Sequence, residues 1–140
     1  MNKTNIEIGD IVWIKCKGNS KNHVQNGIRP GIVIQNNKGN IYSPTLQVIP
    51  LTSKLNKSKL PTHAFIPNNE STGLKVPSIA QCEGSRLISK KDVCGIIGKV
   101  DHNTLKQVAK CWLINNPLVV FFSETELLDV RNNLINRMVA

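Results

Sequence analysis

Apolar and polar positions in the first two-thirds of the chain predict short β-strands. Five segments are rich in β-branched residues or alternate between apolar and polar residues, and turn-forming residues bound each of them. These segments are residues 10–16, 30–35, 45–51, 62–66 and 78–82. The polar stretches 17–27 and 36–40 are predicted to form a loop and a tight turn. Short strands at short spacing are typical of a small β-barrel.

The hydrophobic period changes to that of a helix near residue 100. Asp101 is a predicted N-cap, and from Leu105 the apolar residues follow the i, i+3, i+4, i+7 spacing of an amphipathic helix. Pro117 is expected to end this helix. Residues 118–122 are apolar but too few for periodicity to decide, so they form either a strand or a buried link.

A second helix is predicted at the C-terminal end of the chain. Ser123 and Glu126 have the spacing of a capping box, which marks a helix start. One face of this helix is apolar, with Leu127, Val130, Leu134, Ile135 and Met138. We expect a barrel domain at 1–116 and an extension at 117–140 that belongs to the same compact unit.

The composition is that of a globular protein with one domain. The chain has 140 residues, 40% of them hydrophobic. Its longest apolar run, 118–122, is far shorter than the ~20 residues that span a bilayer, and residues 1–5 include no hydrophobic signal region. We therefore expect a soluble intracellular protein. Its four cysteines include no C-x-x-C pair, so reduced, packed thiols are expected rather than a metal site.

Positive charge is concentrated in the first half of the chain. The net charge is +9, and residues 1–75 carry ten basic and three acidic side chains, which is +7. This asymmetry favours an anionic partner, either a nucleic acid, an acidic protein or a membrane surface. The lysines lie mostly in polar stretches rather than on an amphipathic helix, so a membrane surface is the least favoured partner.

One motif and the sequence blocks that follow it resemble a known family. Residues 25–36 read QNGIRPGIVIQN, which resembles the G-x-R-P-x-x-V-I-Q-N signature of the MazF/PemK family of toxin endoribonucleases. Further family-like blocks follow in order: Ser43-Pro44-Thr45, Ile49 to Ser53, Leu60 to His63, and Ile97 to Asp101. The resemblance covers about residues 8–115. It implies a mainly β fold with C-terminal helices, in which an SH3-like barrel of the MazF/PemK/CcdB type carries an extra C-terminal helix.

The resemblance also implies a function. Such a chain would be the toxin of a type II toxin–antitoxin pair, a cytoplasmic homodimer that cuts single-stranded RNA such as mRNA at specific sequences. Cleavage would need no metal or other cofactor, because the 2′-OH attacks and leaves a 2′,3′-cyclic phosphate. The implied partners are the RNA and an acidic antitoxin protein, with no membrane. Three alternatives stay open: a non-catalytic SH3-like module that binds nucleic acid or protein, a gyrase-directed toxin, and an RNA-binding protein that has lost cleavage.

Two residues match the catalytic Arg and Thr of the family. Arg29 offers a rigid fork of donors for phosphate oxygens and can neutralise the charge of a phosphorane. Thr52, at a predicted strand end, can donate its hydroxyl to a non-bridging oxygen. Further candidates for catalysis or substrate binding are His23, Gln25, Ser53, Glu83 and Arg86. The basic loop is expected to bind RNA through Lys54, Lys57 and Lys59.

The identity of the general base stays open between His23 and Glu83. A histidine has a suitable unperturbed pKa near ~6.5, whereas Glu83 could accept the proton or hold Arg86 in a salt bridge. Arg86 would accordingly bind the substrate backbone or form that salt bridge with Glu83. His63 is expected to be structural. Residues 83–88 read EGSRLI where the family often has E-Q-x-R-T-I, which is why lost cleavage remains an alternative. The apolar face of the last helix should pack on its own barrel, on the dimer mate or on the antitoxin.

Overall fold

The computed structural model describes residues 5–16, 27–55 and 60–138. Within these ranges the strands are β1 (Asp10–Cys16), β2 (Gly27–Val33), β3 (Thr45–Thr52), β4 (His63–Ile66), β5 (Ser78–Gln81), β6 (Arg86–Ser89) and β7 (Val93–Lys99). The α-helices are α1 (Asn37–Tyr42), α2 (His102–Asn115) and α3 (Glu124–Met138). Short 3₁₀ helices lie at Cys82–Gly84, Lys90–Asp92 and Leu118–Phe121.

The strands form one antiparallel sheet that curls like a barrel. Its order is β4-β5-β3-β2-β1-β7. In addition, β6 pairs with residues 45–48 of β3, which precede the part of β3 that pairs with β5. β6 and β7 lie at the two ends of the layer β6-β3-β2-β1-β7 and are joined through the short Lys90–Asp92 helix. Among the described strands no ladder joins them, so the sheet is not closed. The prediction of a mainly β, barrel-like fold with C-terminal helices is confirmed.

Both faces of the central strands are buried. Ile11, Ile32 and Ile49 are neighbours in register on β1, β2 and β3 and belong to a core that also contains Val108 of α2. Because successive side chains of a strand point to opposite faces, the adjacent positions fill a second core inside the curled layer. These positions are Val12, Val33 and Val48. This two-sided burial explains the consecutive apolar residues Ile11 and Val12 of β1 and Ile32 and Val33 of β2.

Helix α2 covers one face of the sheet and begins where the sequence predicts. The Asp101 side chain accepts a hydrogen bond of 2.7 Å from the Thr104 backbone N–H, which satisfies a free donor of the first turn. Val108 is only 1% exposed and anchors the helix in the core. The helix ends at Asn115, two residues before Pro117, as expected. Within the described ranges, no helix combines the length and the apolar character needed to cross a membrane.

The prediction of a tight turn at 36–40 is wrong, because α1 begins there. The Asn36 side chain accepts a 2.8 Å hydrogen bond from the Gly39 N–H and caps the helix. Asn40 is buried and its side-chain amide donates to the Gln35 carbonyl at 2.9 Å. The asparagines therefore cap and anchor a helical segment instead of forming a turn. Residues 17–26 of the predicted loop lie outside the described residues, and Gly27 already belongs to β2.

The interpretation of 118–122 as a strand or a buried link is also wrong. Residues Leu118–Phe121 form a 3₁₀ helix, and the Phe121 side chain is 80% exposed. The capping box that follows is confirmed: the Ser123 hydroxyl accepts from Glu126 N–H at 3.1 Å, and Glu126 accepts from Ser123 N–H at 3.0 Å. However, α3 contains no buried residue. Of the three places expected for its apolar face, the barrel of the same chain is therefore wrong, since that face is exposed.

Candidate active site

Arg29 and Thr52 lie just beyond the same end of the ladder between β2 and β3. The β2–β3 ladder ends with the pair Gly31 and Pro50. Arg29 and Thr52 lie two residues further along β2 and β3. On their outer edges both strands remain paired, because Arg29 pairs with β1 and Thr52 pairs with β5. The two residues predicted to be catalytic therefore lie beside the end of this ladder.

Arg29 is exposed on this edge. No carboxylate of the described residues lies within 4.0 Å of its guanidinium, so its donors are available to a ligand. Pro30, the next residue, restricts its own φ and biases Arg29 towards an extended backbone. The backbone that carries the guanidinium is thus held in β2 while the side chain faces solvent.

Thr52 is half-buried, and its hydroxyl oxygen accepts a hydrogen bond of 3.2 Å from the Lys54 backbone N–H. A hydroxyl that accepts in this way keeps its own proton to donate. No acceptor in the described part of the chain takes that proton. Ser53 and Lys54 follow directly and are exposed, which places one further hydroxyl and one ammonium group beside Thr52.

Glu83 lies on the Cys82–Gly84 helix and is held by two side chains from the start of β4. The Thr62 hydroxyl donates to one carboxylate oxygen at 2.9 Å, and His63 Nε2 lies 2.9 Å from the other. The Leu60 N–H donates to His63 Nδ1 at 3.4 Å. Because Nδ1 accepts, the proton of a neutral ring is on Nε2, which donates to Glu83. His63 therefore has the structural role that the sequence predicts.

These contacts keep Glu83 ionised. Partial desolvation alone would raise the pKa of this carboxyl group, but the hydrogen bonds from His63, from its own backbone and from Thr62 outweigh it, and the net pKa is lowered. The side chain remains 34% exposed, whereas that of His63 is 8% exposed. A fixed, accessible carboxylate is chemically able to accept a proton.

The predicted salt bridge between Glu83 and Arg86 is wrong. Arg86 begins β6 beside Val48, and its Nε donates to the Gly84 carbonyl at 3.4 Å. The Glu83 carboxylate is turned instead towards β4, where Thr62 and His63 occupy it. No carboxylate of the described residues lies within 4.0 Å of Arg86. Arg86 is exposed and keeps its charge available to a ligand.

Pro50 connects the parts of this site. It pairs with Gly31, two residues from Arg29, and precedes Thr52 by two residues. A Cβ atom built on Gly84 would lie 3.5 Å from its ring. The structure therefore brings Arg29, Thr52 and the 83–86 segment to the same end of β3. We refer to these residues as the β3 edge site.

The structure leaves some candidates undecided and adds one residue. His23, Gln25, Lys57 and Lys59 lie outside the described residues. Thr62, which sequence reasoning missed, holds the Glu83 carboxylate. The only sequence signal for it is its position beside His63 in the Leu60–His63 block. Among the described residues, no group of three or more His, Cys, Asp or Glu side chains could hold a metal ion.

The cysteines take no part in this site. All four are free thiols. Cys82 precedes Glu83 but is buried, and burial together with the nearby Cys111 and Glu83 raises its thiol pKa to about 12. A thiol with such a pKa is neutral at physiological pH and is a poor nucleophile.

Comparisons with known proteins agree on one family. The chain matches the PemK-like, MazF-like toxins of type II toxin–antitoxin systems over residues 7–114. It is 35% identical to the endoribonuclease EndoA of Bacillus subtilis (strain 168) over 97 residues, which are 69% of this chain and 83% of EndoA.

Solved structures show the same fold. The Mycobacterium tuberculosis toxin MazF-mt6 is 17% identical with a TM-score of 0.63, over 77% of this chain and 96% of that chain. A mycobacterial endoribonuclease in complex with its cognate antitoxin is 15% identical with a TM-score of 0.62, over 84% and 96%. A MazE–MazF structure from Deinococcus radiodurans is 17% identical with a TM-score of 0.63, over 84% and 97%. From the family match and the identity to EndoA, the chain belongs to the PemK-like, MazF-like toxins of type II toxin–antitoxin systems.

Proposed function

We propose that this toxin is a sequence-specific endoribonuclease that cuts single-stranded RNA, mRNA included, without a metal ion. The observation that carries the proposal is the placement of Arg29 and Thr52 at the same end of the β2–β3 ladder, each two residues beyond its last pair. A cation and a hydroxyl donor in this position suit a phosphodiester. The 35% identity to a protein named as an endoribonuclease supports the same activity.

The reaction begins with the ribose 2′-OH at the cut site. Its oxygen loses its proton to a general base and attacks the adjacent phosphorus while the bond from phosphorus to the 5′-oxygen breaks. The leaving 5′-oxygen takes a proton from Arg29 or from solvent, so the products are a 2′,3′-cyclic phosphate and a 5′-OH. Arg29 stabilises the negative charge that builds on the phosphorane, and the Thr52 hydroxyl donates a hydrogen bond to a non-bridging oxygen. Both interactions strengthen as charge develops, so they lower the barrier rather than only bind the substrate.

Glu83 is the described group best suited to take the proton from the 2′-OH. Each of its oxygens accepts one hydrogen bond, from Thr62 or His63, and a carboxylate has about four acceptor sites. It therefore keeps room for a further donor. The rival base remains His23. Arg86, Ser53, Gln25 and the basic loop with Lys54, Lys57 and Lys59 would contact the RNA backbone.

The partners follow from charge and from the family. The chain has a net charge of +9, which suits both RNA and an acidic antitoxin segment that competes with it. Solved structural neighbours include complexes with an antitoxin. We further propose a homodimer with the RNA site near its two-fold axis, a cytoplasmic location, and a division between a barrel at 1–116 and an extension at 117–140.

The decisive experiment incubates a long single-stranded RNA with the protein in excess EDTA. Cleavage at a short recurring sequence is expected, and Thr52→Val should lose most of it while still binding RNA. Binding without cleavage by the parent protein would instead indicate a non-catalytic module or a protein that has lost cleavage. Absence of both, together with inhibition of gyrase supercoiling, would identify a gyrase-directed toxin.

A further inference from the structure

The segment after α2 presents a continuous series of exposed apolar side chains. The family match ends at residue 114, so this segment lies beyond it. It comprises the Leu118–Phe121 helix and α3. Its exposed large apolar residues are Leu118, Val120, Phe121, Phe122, Leu127, Leu128, Leu134, Ile135 and Met138. Patches of this extent on a protein surface mark contact sites.

The apolar face of α3 contains two opposite charges. At about 100° per residue, the apolar side chains from Val130 round to Leu128 cover an arc of about 160°. Glu124 and Arg131 fall inside this arc, whereas Asp129 lies on the opposite side of the helix. A charged pair within an apolar face, seven residues apart, needs an explanation other than solubility.

Local helix chemistry explains only one of the two charges, since the helix dipole favours Glu124 in the first turn but gives no advantage to Arg131 in the middle of the helix. The capping box already uses Glu126, so Glu124 is not required to cap the helix. Side chains seven residues apart lie two turns from each other, and only i, i+3 and i, i+4 pairs are neighbours. In the described part of the chain, neither Glu124 nor Arg131 has an oppositely charged group within 4.0 Å.

We propose that a second copy of this chain covers α3, with the two helices packed antiparallel so that Glu124 faces Arg131 of the partner subunit. A two-fold axis makes every contact occur twice, so Arg131 likewise faces the partner subunit's Glu124. Glu124 and Arg131 of one copy are thus complementary to the same two residues of a second copy whose helix runs in the opposite direction. A lone α3 leaves both unpaired.

This arrangement also accounts for the apolar residues. When Glu124 and Arg131 pair across the axis, Leu127 and Leu128 lie at the centre of the overlap. The end of each α3, with Leu134 and Met138, extends past this centre towards the partner's 118–122 segment. The contact lies outside the β3 edge site and does not depend on RNA cleavage.

Charge reversal in the full-length protein tests the pairing. Glu124→Arg gives each copy two positive charges at the paired positions, and Arg131→Glu gives each copy two negative charges. Each variant alone should associate at least tenfold more weakly than the parent in sedimentation equilibrium at micromolar concentration. An equimolar mixture of the two should recover association, because every contact then joins opposite charges. Asp129→Arg, with the same change of charge on the opposite face, should associate like the parent.

Several outcomes would overturn the proposal. A monomeric parent protein would do so, as would variants that all associate like the parent. Weakened variants that fail to recover on mixing would show that the two charges do not face each other across copies. If the reversals left self-association intact but weakened binding of the cognate antitoxin, the face would belong to that partner instead. Circular dichroism establishes that each variant keeps its helical content.

Discussion

Arg29 on β2 and Thr52 on β3 each lie two residues beyond Gly31 and Pro50, the last pair of the ladder between these strands. Each is held on the other edge of its strand: Arg29 pairs with Ile14 of β1, and Thr52 pairs with Ile79 of β5. The backbones that carry the guanidinium and the hydroxyl are thus fixed by the sheet and not by a loop. Fixed positions of this kind favour catalysis, because little entropy is lost when the substrate is aligned.

Removal of either group should slow the chemical step. We expect Arg29→Ala and Thr52→Ala each to lower the single-turnover cleavage rate by ~10²–10³, since one donor to the transition state is lost. Thr52→Ser keeps a hydroxyl and should retain much of the rate. Arg137→Ala, which removes an exposed arginine from α3, is the matched control. Rates within a few-fold of the parent for both alanine variants would disprove the site assignment.

The nucleophile can be tested on the substrate. An RNA with a single 2′-deoxy nucleotide at the cut site should bind with unchanged affinity but remain uncut, because it lacks the attacking oxygen. With the unmodified RNA, the upstream product should end in a 2′,3′-cyclic phosphate, as measured by mass spectrometry. Undiminished cleavage of the deoxy substrate would exclude internal attack.

The pH dependence separates the two candidate bases. The pKa of Glu83 is lowered below the usual 4.5, so a Glu83 base stays ionised until the pH falls below that value. We therefore expect kcat/KM to show its acidic limb below pH 4.5 and Glu83→Gln to be strongly impaired. His63→Ala should move the limb upwards, since it removes a hydrogen bond that lowers this pKa. A limb near pH ~6.5 that disappears in His23→Ala would assign the base to His23.

The lowered pKa of Glu83 also makes the stability of the fold depend on pH. A carboxyl group whose pKa is lower in the folded than in the unfolded state stabilises the fold at pH values above its unfolded-state pKa. It loses that contribution as the pH falls through its folded-state pKa. We expect the midpoint of urea unfolding to decrease on acidification below pH 4.5, and to decrease less in Glu83→Gln. An equal decrease in both proteins would show that other carboxylates cause it.

RNA binding should weaken steeply with salt. Each phosphate neutralised on a single strand contributes about −0.7 to the slope of log K against log salt concentration. Lys54→Ala, beside Thr52, should reduce the magnitude of the slope by about that amount. Lys110→Ala on the exposed side of α2 should leave it unchanged. Binding that does not depend on salt would contradict the basic RNA surface.

Elements built on local contacts could be predicted from the sequence. Helix α2 begins at the predicted cap because Asp101 bonds Thr104, three residues away. Helix α3 begins at the predicted box because Ser123 and Glu126 bond each other. The family blocks likewise identify Arg29 and Thr52 by their neighbours in the chain. Strand β6 had no such signal, since it depends on pairing with β3, which lies about forty residues earlier.

Tertiary structure decided which groups meet. Sequence proximity suggested Arg86 as the partner of Glu83, but the fold brings His63, twenty residues away, to the carboxylate. The hydrophobic period of α3 predicted its apolar face correctly, yet not that the barrel leaves this face uncovered. Hydrophobic periodicity and capping act within one or two turns, so the sequence by itself determined them. The partner of a carboxylate or of an apolar face depends on distant strands and helices, and only the folded chain sets their positions.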